Sequence, residues 1–444
     1  MSQELLQQAL DVANSLGAAD AEIVLVRDVG LDVEVAQGKL ETLALAEAIG
    51  MGARLFTEDR RMGFAYTTAV GGGVECVITS AWRNARVNEI DEHNVLPEEH
   101  TVARDDWSEQ DFSAILVSDK IEFCRELERK TRLADARVTQ VERAAYADSR
   151  IEYTIGNSRG LFRTYRNTHC ICSVVAAASE PGADSEMGWE FDFGRRFTSL
   201  RLDWVAEHCA LRATRGLGGT PCETRAMPVV LDDRVAMQFL NVIGPALMAN
   251  NVLKGKSLFA GRVGETIAAE CVTLVDQNDL DAGMNRAPFD GEGASAQATV
   301  LVEQGVLRGY LHNAYTAHKM GLRTTANAGR GGFRSTPEVG ATNCFLKPGP
   351  HTPQALIGMA GTGLFVTEAM GVHTADPISG DFSLGVAGVK IENGCTTRPV
   401  RGVTIAGNIK DLLKNIQAVG NDLRFFGVFG SPSVLISRLV VSGA

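Results

Sequence analysis

EIVLVRDVGLDVEVAQGKLETLALAEAIGMGARLFTEDRRMGFAYTT, residues 22–68, decides how the first half of the chain folds. It consists of short runs rich in Val, Ile and Leu, broken by Gly30, by Gln37-Gly38-Lys39 and by Thr57-Glu58-Asp59, which is the pattern of a β-meander. Before it, residues 3–16 set Leu5, Leu6, Ala9, Leu10, Ala13 and Leu16 on one helical face, and Gly17 stands where a left-handed cap is wanted. After it, a second helix is expected over Val74 to Arg86 with Val74, Val77, Ile78, Ala81 and Trp82 inward, then a polar linker through Trp107.

A third helix near Asp119 to Leu133 leads into alternating segments at Val138 to Ala147, Ile151 to Ile155 and Leu161 to Ala178, which read as hairpin strands. Asp203 to Arg215 has helical spacing. Gly216-Leu217-Gly218-Gly219-Thr220-Pro221 is the clearest break in composition and marks the main domain boundary. The second half opens with an apolar strand, Met227 to Leu231, and a helix from about Arg234 that Gly244 and Pro245 must end or bend. Short strands between glycine-rich turns follow, with brief helices at Asn313 to Met320, Pro353 to Ala360 and Asn408 to Leu413. The expected fold is α+β: an N-terminal α/β region over 1–215, with helices on antiparallel meanders and lobes at 1–88 and 112–215, and a C-terminal antiparallel β-rich domain over 222–444.

With 444 residues, 45% hydrophobic and 22% charged, the chain has the composition of a folded globular protein, not of a disordered, collagenous or disulfide-stapled one. Its net charge of −11, from 43 Lys+Arg against 54 Asp+Glu, argues against direct nucleic-acid binding. Nine scattered cysteines, an opening without a basic leader and the absence of a long apolar run lead to the expectation of a cytoplasmic protein with reduced thiols and no membrane span.

The motifs that carry chemistry elsewhere mostly fail on context. Gly156-Asn157-Ser158-Arg159-Gly160 matches a nucleophile-elbow pattern, but a strand follows where a helix is required, so a hairpin turn is expected. Gly255-Lys256-Ser257 lacks the earlier glycine of a P-loop, and Ala328-Gly329-Arg330-Gly331-Gly332 lacks the lysine and helix start that would accompany an anion nest. His312 and His318 are six residues apart and fall on different sides of a helix. In His169-Cys170-Ile171-Cys172 the two cysteines share a strand face and read as core. Asp290 and Glu292 form the remaining carboxylate pair suited to acid/base work, though an exposed acidic turn is the favoured reading of them, since turns favour Asp and Gly without any chemistry. Glu180 to Asp192 reads as a solvated acidic loop.

The C-terminal half resembles the family of TldD and PmbA (also called TldE) proteins, described as modulators of DNA gyrase and grouped with the U62 peptidases. The resemblance is carried in order by Gly261-Arg262-Val263-Gly264-Glu265, Phe289-Asp290-Gly291-Glu292-Gly293, Gly305-Val306-Leu307-Arg308-Gly309-Tyr310, Gly361-Thr362-Gly363-Leu364, Ser379-Gly380-Asp381-Phe382-Ser383, Ile391-Glu392-Asn393-Gly394, Ile405-Ala406-Gly407-Asn408 and Val419-Gly420-Asn421-Asp422. The N-terminal helix, the meander and the Asn157-Ser158 hairpin extend it along nearly the whole chain.

The TldD branch carries a His-Glu-x-x-x-His motif on a helix and a late cysteine as third ligand to a catalytic metal. At those positions this chain has Leu240, Asn241, Pro245 and, by ungapped counting, about Phe429. The resemblance is therefore to the PmbA branch, and implies a chain that binds no metal itself, with zinc only in a TldD-type partner. It implies a subunit that shapes a peptide cleft for proteolysis or peptide maturation by that partner, acting on peptides or unfolded proteins. Asp290, Glu292, Asn408, Asn421 and Asp422 are its cleft candidates. Two alternatives stay open: a homodimeric, protein-binding regulator without proteolysis, and an independent hydrolase using Ser158 or the Asp290/Glu292 pair.

Overall fold

The structure, a computed structural model, describes residues 2–98, 102–182 and 184–443. Part of the expected linker (99–101), residue 183 of the acidic stretch and the two terminal residues lie outside it.

The first half contains α1 (Ser2–Ser15), β1 (Asp20–Ala36), β2 (Lys39–Phe56), β3 (Met62–Thr67), α2 (Val74–Val87), β4 (Val102–Trp107), α3 (Val117–Ala134), β5 (Val138–Asn157), β6 (Phe162–Ala178), β7 (Glu186–Gly194) and α4 (Leu202–Arg215). Its strands form one sheet in the order β3-β2-β1-β5-β6-β4, with β7 paired to β6. All its pairings are antiparallel except β4–β6. The second half contains β8 (Arg225–Leu231), α5 (Asp233–Ile243), α6 (Ala249–Leu253), β9 (Leu274–Gln277), β10 (Ala298–Glu303), β11 (Val306–Leu307), α7 (Ala314–Met320), β12 (Ala328–Gly329), β13 (Glu338–Val339) and β14 (Cys344–Leu346). It ends with α8 (Pro353–Ala360), β15 (Gly363–Met370), β16 (Asp381–Glu392), β17 (Cys395–Asn408), α9 (Ile409–Lys414), β18 (Ile416–Val419), β19 (Arg424–Phe426), β20 (Phe429–Ser431) and β21 (Val434–Ser442). Two six-stranded sheets, β11-β10-β9-β14-β20-β19 and β17-β16-β15-β8-β21-β18, contribute to one shared core with α5. Most of their pairings are antiparallel; β8–β15 and β14–β20 are parallel. The α+β fold with a β-rich second half is as the sequence indicated.

Three local expectations are corrected. Gly30 does not break a strand: β1 runs through it in register with both β2 and β5. Residues 138–157 are likewise one strand, not two. The stretch expected as linker ends in β4, whose parallel pairing to β6 is long-range and leaves no local signature.

Alternation along β1 explains the layering, because successive side chains face opposite ways. Ala21, Ile23 and Leu25 pack under α1 and α2, while Leu31, Val33 and Val35 pack under α3 and α4. On the opposite face Val24 and Val26 join Tyr153 and Ile155 against Phe289 and Phe333 of the second half. Gly50 and Gly52 make this approach possible, since a Cβ on Gly50 would lie 2.2 Å from the Phe333 ring and one on Gly52 2.4 Å from the Phe333 carbonyl oxygen.

Charges also cross this seam. Glu22 and Arg54, cross-strand neighbours in β1 and β2, face the second half and join Glu292 and Arg330 in a buried chain. Arg54 Nη2 donates to Glu22 at 2.8 Å and to Glu292 at 2.9 Å, and Arg330 pairs with the other oxygen of Glu22. Burial opposes the Arg54 charge, but the two carboxylates more than reverse that and push its pKa up. Replacing Arg54 with Met leaves Glu22 and Glu292 short of a buried counter-charge, so the variant is expected to lose about 3–5 kcal/mol of stability. Denaturant unfolding checks this; an unchanged midpoint would show that the chain of charges does not hold the seam.

Candidate functional site

The helix that would carry a metal motif is α5. Asp232 caps it by accepting from the Val235 N–H at 2.9 Å, and Gly244-Pro245 turns its end into a 3₁₀ segment, Gly244–Leu247. Leu240 is buried and lines a cavity of about 30 Å³ walled by Leu274, Leu346, Leu412 and Val434 and, apart from Ser431, apolar. Asn241 is exposed and its amide donates to Met237 Sδ at 3.3 Å. Phe429, in β20, is buried with its ring pressed on the backbone of Gly244, where a Cβ would come within 2.4 Å of the ring.

Zinc is the metal the fold family implies, and this donor set does not fit it. Leucine and phenylalanine offer no lone pair, the Pro245 ring nitrogen is an amide, and Asn241 is a weak neutral donor. Among the described residues no group of three or more His, Cys, Asp or Glu side chains could hold a metal ion. The space beside the end of α5 is filled by hydrocarbon.

Immediately at the other end of α5 lies a charged cluster that sequence reasoning missed. Glu190 of β7, fully buried, accepts from Arg212 Nε at 2.9 Å, Arg234 Nη2 at 3.0 Å and Arg424 Nη2 at 2.9 Å. Arg212 also reaches Asp232 at 3.2 Å, and Arg424 reaches Asp233 at 3.3 Å. The cluster thus pins β7 and α4 to α5 and β19. Burial alone would raise the Glu190 carboxyl, but the Arg424 hydrogen bond and the three guanidinium charges hold it down to about 2. Burial and the adjacent Asp233 carboxylate instead push Asp232 up to about 6. The expectation of a solvated loop over 180–192 is corrected here: much of it is β7, and the arginines that neutralise Glu190 are remote in sequence.

The acidic turn Asp290-Gly291-Glu292 is also buried, against the reading of it as exposed. Asp290 accepts from the N–H groups of Glu292 at 2.9 Å, Ala294 at 3.0 Å and Ala328 at 2.9 Å. Burial and the Glu292 carboxylate push its pKa up to about 7, against the pull of those three donors. Glu292 accepts from Arg54 and, at 2.8 Å, from the first amide of α7 at Ala314. Tyr153 OH donates to the Gly291 carbonyl at 3.2 Å.

The other cleft candidates are scattered. Asn408 caps α9, accepting from Lys410 N–H at 3.0 Å and donating to Asp381 at 2.8 Å. Asp422 accepts from the Ser433 N–H at 3.0 Å and its hydroxyl at 2.7 Å, and Asn421 beside it is exposed. Ser158 sits in the β5–β6 turn, as expected of a hairpin, and its hydroxyl accepts from Ala21 N–H at 3.0 Å and lies 3.4 Å from Asp20, itself paired to Arg60 and Arg159. Cys170 and Cys172 are core residues whose thiols burial pushes up to about 12. His312 is buried, whereas His318 meets His93 with 3.0 Å between their Nδ1 atoms, a contact spanning 225 positions. The Ser257 hydroxyl donates to the Ala246 carbonyl at 2.6 Å and accepts from Phe259 N–H.

The comparisons with known proteins agree along the chain. Residues 21–85, 110–217 and 224–443 match domain 1, the central domain and the C-terminal domain of the PmbA/TldA metallopeptidases. The chain belongs to the PmbA/TldD metallopeptidase family. It is 28% identical to metalloprotease PmbA of Escherichia coli O157:H7 over 99% of this chain and 96% of that protein. It is 34% identical to a metalloprotease of Methanothermobacter thermautotrophicus over 67% of this chain and 69% of that one. Its fold superposes on the crystal structure of a candidate modulator of a DNA gyrase from Thermotoga maritima with a TM-score of 0.88, 25% identity and complete coverage of both chains. TldE of Thermococcus kodakarensis gives the same TM-score at 20% identity, covering 99% of this chain and 100% of that one.

The Glu190 cluster gives a pH test. A carboxyl held near 2 in the fold against 4.5 free contributes stability that is present above about pH 4.5 and is lost as pH falls through 2. That contribution amounts to about 3 kcal/mol. Glu190→Gln is expected to lower the unfolding midpoint at neutral pH, and its gap to the unaltered chain should close between about pH 4.5 and 2. A gap independent of pH would show that the carboxylate charge is not what the arginines hold.

Proposed function

We propose that this chain is the metal-free subunit of a PmbA/TldD-type metallopeptidase, shaping a peptide cleft whose hydrolytic chemistry belongs to a TldD-type partner. The observation that carries the reading is the end of α5. Leu240, Pro245 and Phe429 supply carbon where metal ligands would be needed, and the Phe429 ring fills the space itself. What the chain contributes is a rigid wall. Two buried ionic clusters fix its halves to each other, and the short strands of the second half supply backbone edges against which an extended peptide can lie.

Self-association without proteolysis is the second reading, favoured by the outer edge of β2, which among the described residues pairs with no strand over residues 39–50 and exposes Leu43 and Leu45. The kinship to a structure described as a candidate gyrase modulator is consistent with it, and the net charge of −11 favours contacts with protein over DNA.

Purified alone, the chain is expected to show no chelator-sensitive hydrolysis of unfolded peptides. Adding a TldD-type subunit loaded with zinc should yield a complex and raise peptide hydrolysis at least about tenfold over that subunit alone. Turnover by the isolated chain that a chelator abolishes, or the absence of both complex and added activity on mixing, would overturn the reading.

A further inference from the structure

Arg195 stands just past the end of β7, where continuing the register Cys170↔Gly194 sets it beside His169 of β6. It is 7% exposed, and its Nη2 donates to the Gly283 carbonyl of the second half at 3.0 Å. Its Nε and Nη1 meet no hydrogen-bond partner, and among the described residues no carboxylate pairs with it. Arg54 and Arg330, buried elsewhere between the halves, both hold Glu22. A guanidinium taken out of water without a counter-charge is strongly unfavourable, and here the nearby Arg286 charge adds to the cost of burial. The acids close by are already engaged. Glu109 accepts from Arg286 Nη1 at 3.2 Å and from Arg196 Nε at 3.4 Å, and Asp281 pairs with Arg286 Nη2 at 2.9 Å. Three guanidiniums thus face two carboxylates, which leaves one positive charge in excess. The next acid, Asp28, lies on β1 beyond His169 and accepts from the Ser149 hydroxyl at 2.6 Å. Desolvation and the Arg195 charge hold the His169 pKa below its usual value, so its imidazole is neutral near pH 7 and adds nothing to the count.

We propose that Arg195 anchors a carboxylate-binding site at the edge of the seam between the halves, whose ligand is a monoanion. A carboxylate is planar and only accepts hydrogen bonds, which is what unspent guanidinium N–H groups require, and its single charge cancels the excess. A phosphate dianion would instead set surplus negative charge beside Glu109 and Asp281. The surroundings are already built. Asn167 Nδ2 donates to the Arg286 carbonyl at 2.7 Å, Glu109 N–H donates to the Thr168 hydroxyl at 3.2 Å, and the Arg286 guanidinium lies 4.8 Å from the centre of the Trp107 ring. Arg195 Nε and Nη1 are enclosed, so a ligand reaches them past the side chains of Arg196 and Asp281, 62% and 86% exposed, whose ion pairs are open to solvent and weakly held. A free small carboxylic acid and the C-terminus of a peptide offer this same chemistry.

The site needs no TldD-type subunit, so it stands or fails apart from the proposed function. Titration calorimetry on the full chain, near neutral pH in chloride buffer of fixed ionic strength, would use acetate, N-acetyl-trialanine, the C-terminal amide of that peptide and inorganic phosphate as probes. Acetate or the peptide acid should bind at least about tenfold more tightly than the amide and than phosphate. Comparable affinity for acetate and the peptide acid assigns the site to free acids, whereas a peptide acid bound at least about tenfold more tightly than acetate assigns it to peptide termini. Arg195→Met should weaken binding at least about tenfold while keeping or raising the thermal midpoint in carboxylate-free buffer, because it removes a buried charge that nothing else in the chain answers. The nitrogen-15 resonance of Arg195 Nε should move as the carboxylate is added, a readout that needs no variant. Absence of binding, with Nε merely hydrated, would overturn the inference. So would an amide or phosphate bound as tightly as the acids, or undiminished binding by Arg195→Met.

Discussion

Burying charge between two halves of a chain is tolerable only if every charge meets its opposite there, and this requirement fixes how the protein is assembled. Arg54 stands between Glu22 and Glu292, and Arg330 closes the other side of Glu22. β1 and β2 pair Glu22 with Arg54, and only the second half completes the chain, adding Glu292 to Arg54 and Arg330 to Glu22. The apolar contacts around it, Val24 and Val26 against Phe289 and Phe333, supply area but little direction. The guanidinium geometry supplies register. Glu190 with its three arginines repeats the device at a second point of the seam, which leaves the halves little freedom to rotate.

That rigidity suits the wall of a peptide cleft, the role proposed above for this chain. On α5 the apolar stripe that builds the core continues through Leu240 and Ile243 without interruption, and the turn at Gly244-Pro245 is capped by an aromatic ring. A metal site would need polar side chains in this place and a shell of hydrogen bonds around them. What stands there is packing of the kind found anywhere in the core.

Much of this was readable from the chain. The periodicity of residues 2–15, 74–87 and 202–215 gave the helices to within a residue or two, and the Val/Ile/Leu runs gave the meander. That Leu240 and Pro245 offer no side-chain metal ligand was legible, because the chemistry of a side chain needs no structure to recognise. The partner of the missing donor was not: nothing in residues 244 and 429 hints that a glycine and a phenylalanine 185 positions apart are in van der Waals contact. Asp290-Gly-Glu292 and Glu190 were misjudged for one reason. Acidic residues in turns are usually wet, and only arginines far along the chain make these dry. Glu22 and Arg54 did leave a trace, as single charges inside otherwise apolar runs on paired strands.

The Gly244–Phe429 contact also bears on what building a metal site into this chain would require. Exchanging Phe429 for a thiol would leave a void the size of a benzene ring, and placing imidazoles at positions 240 and 245 would put polar rings into hydrocarbon on one side and remove a helix-ending proline on the other. Each single exchange is a loss until all are made and the surrounding layer is rebuilt. The hydrocarbon packing thus protects itself: a stepwise path to a metal site at this place descends into instability before it rises.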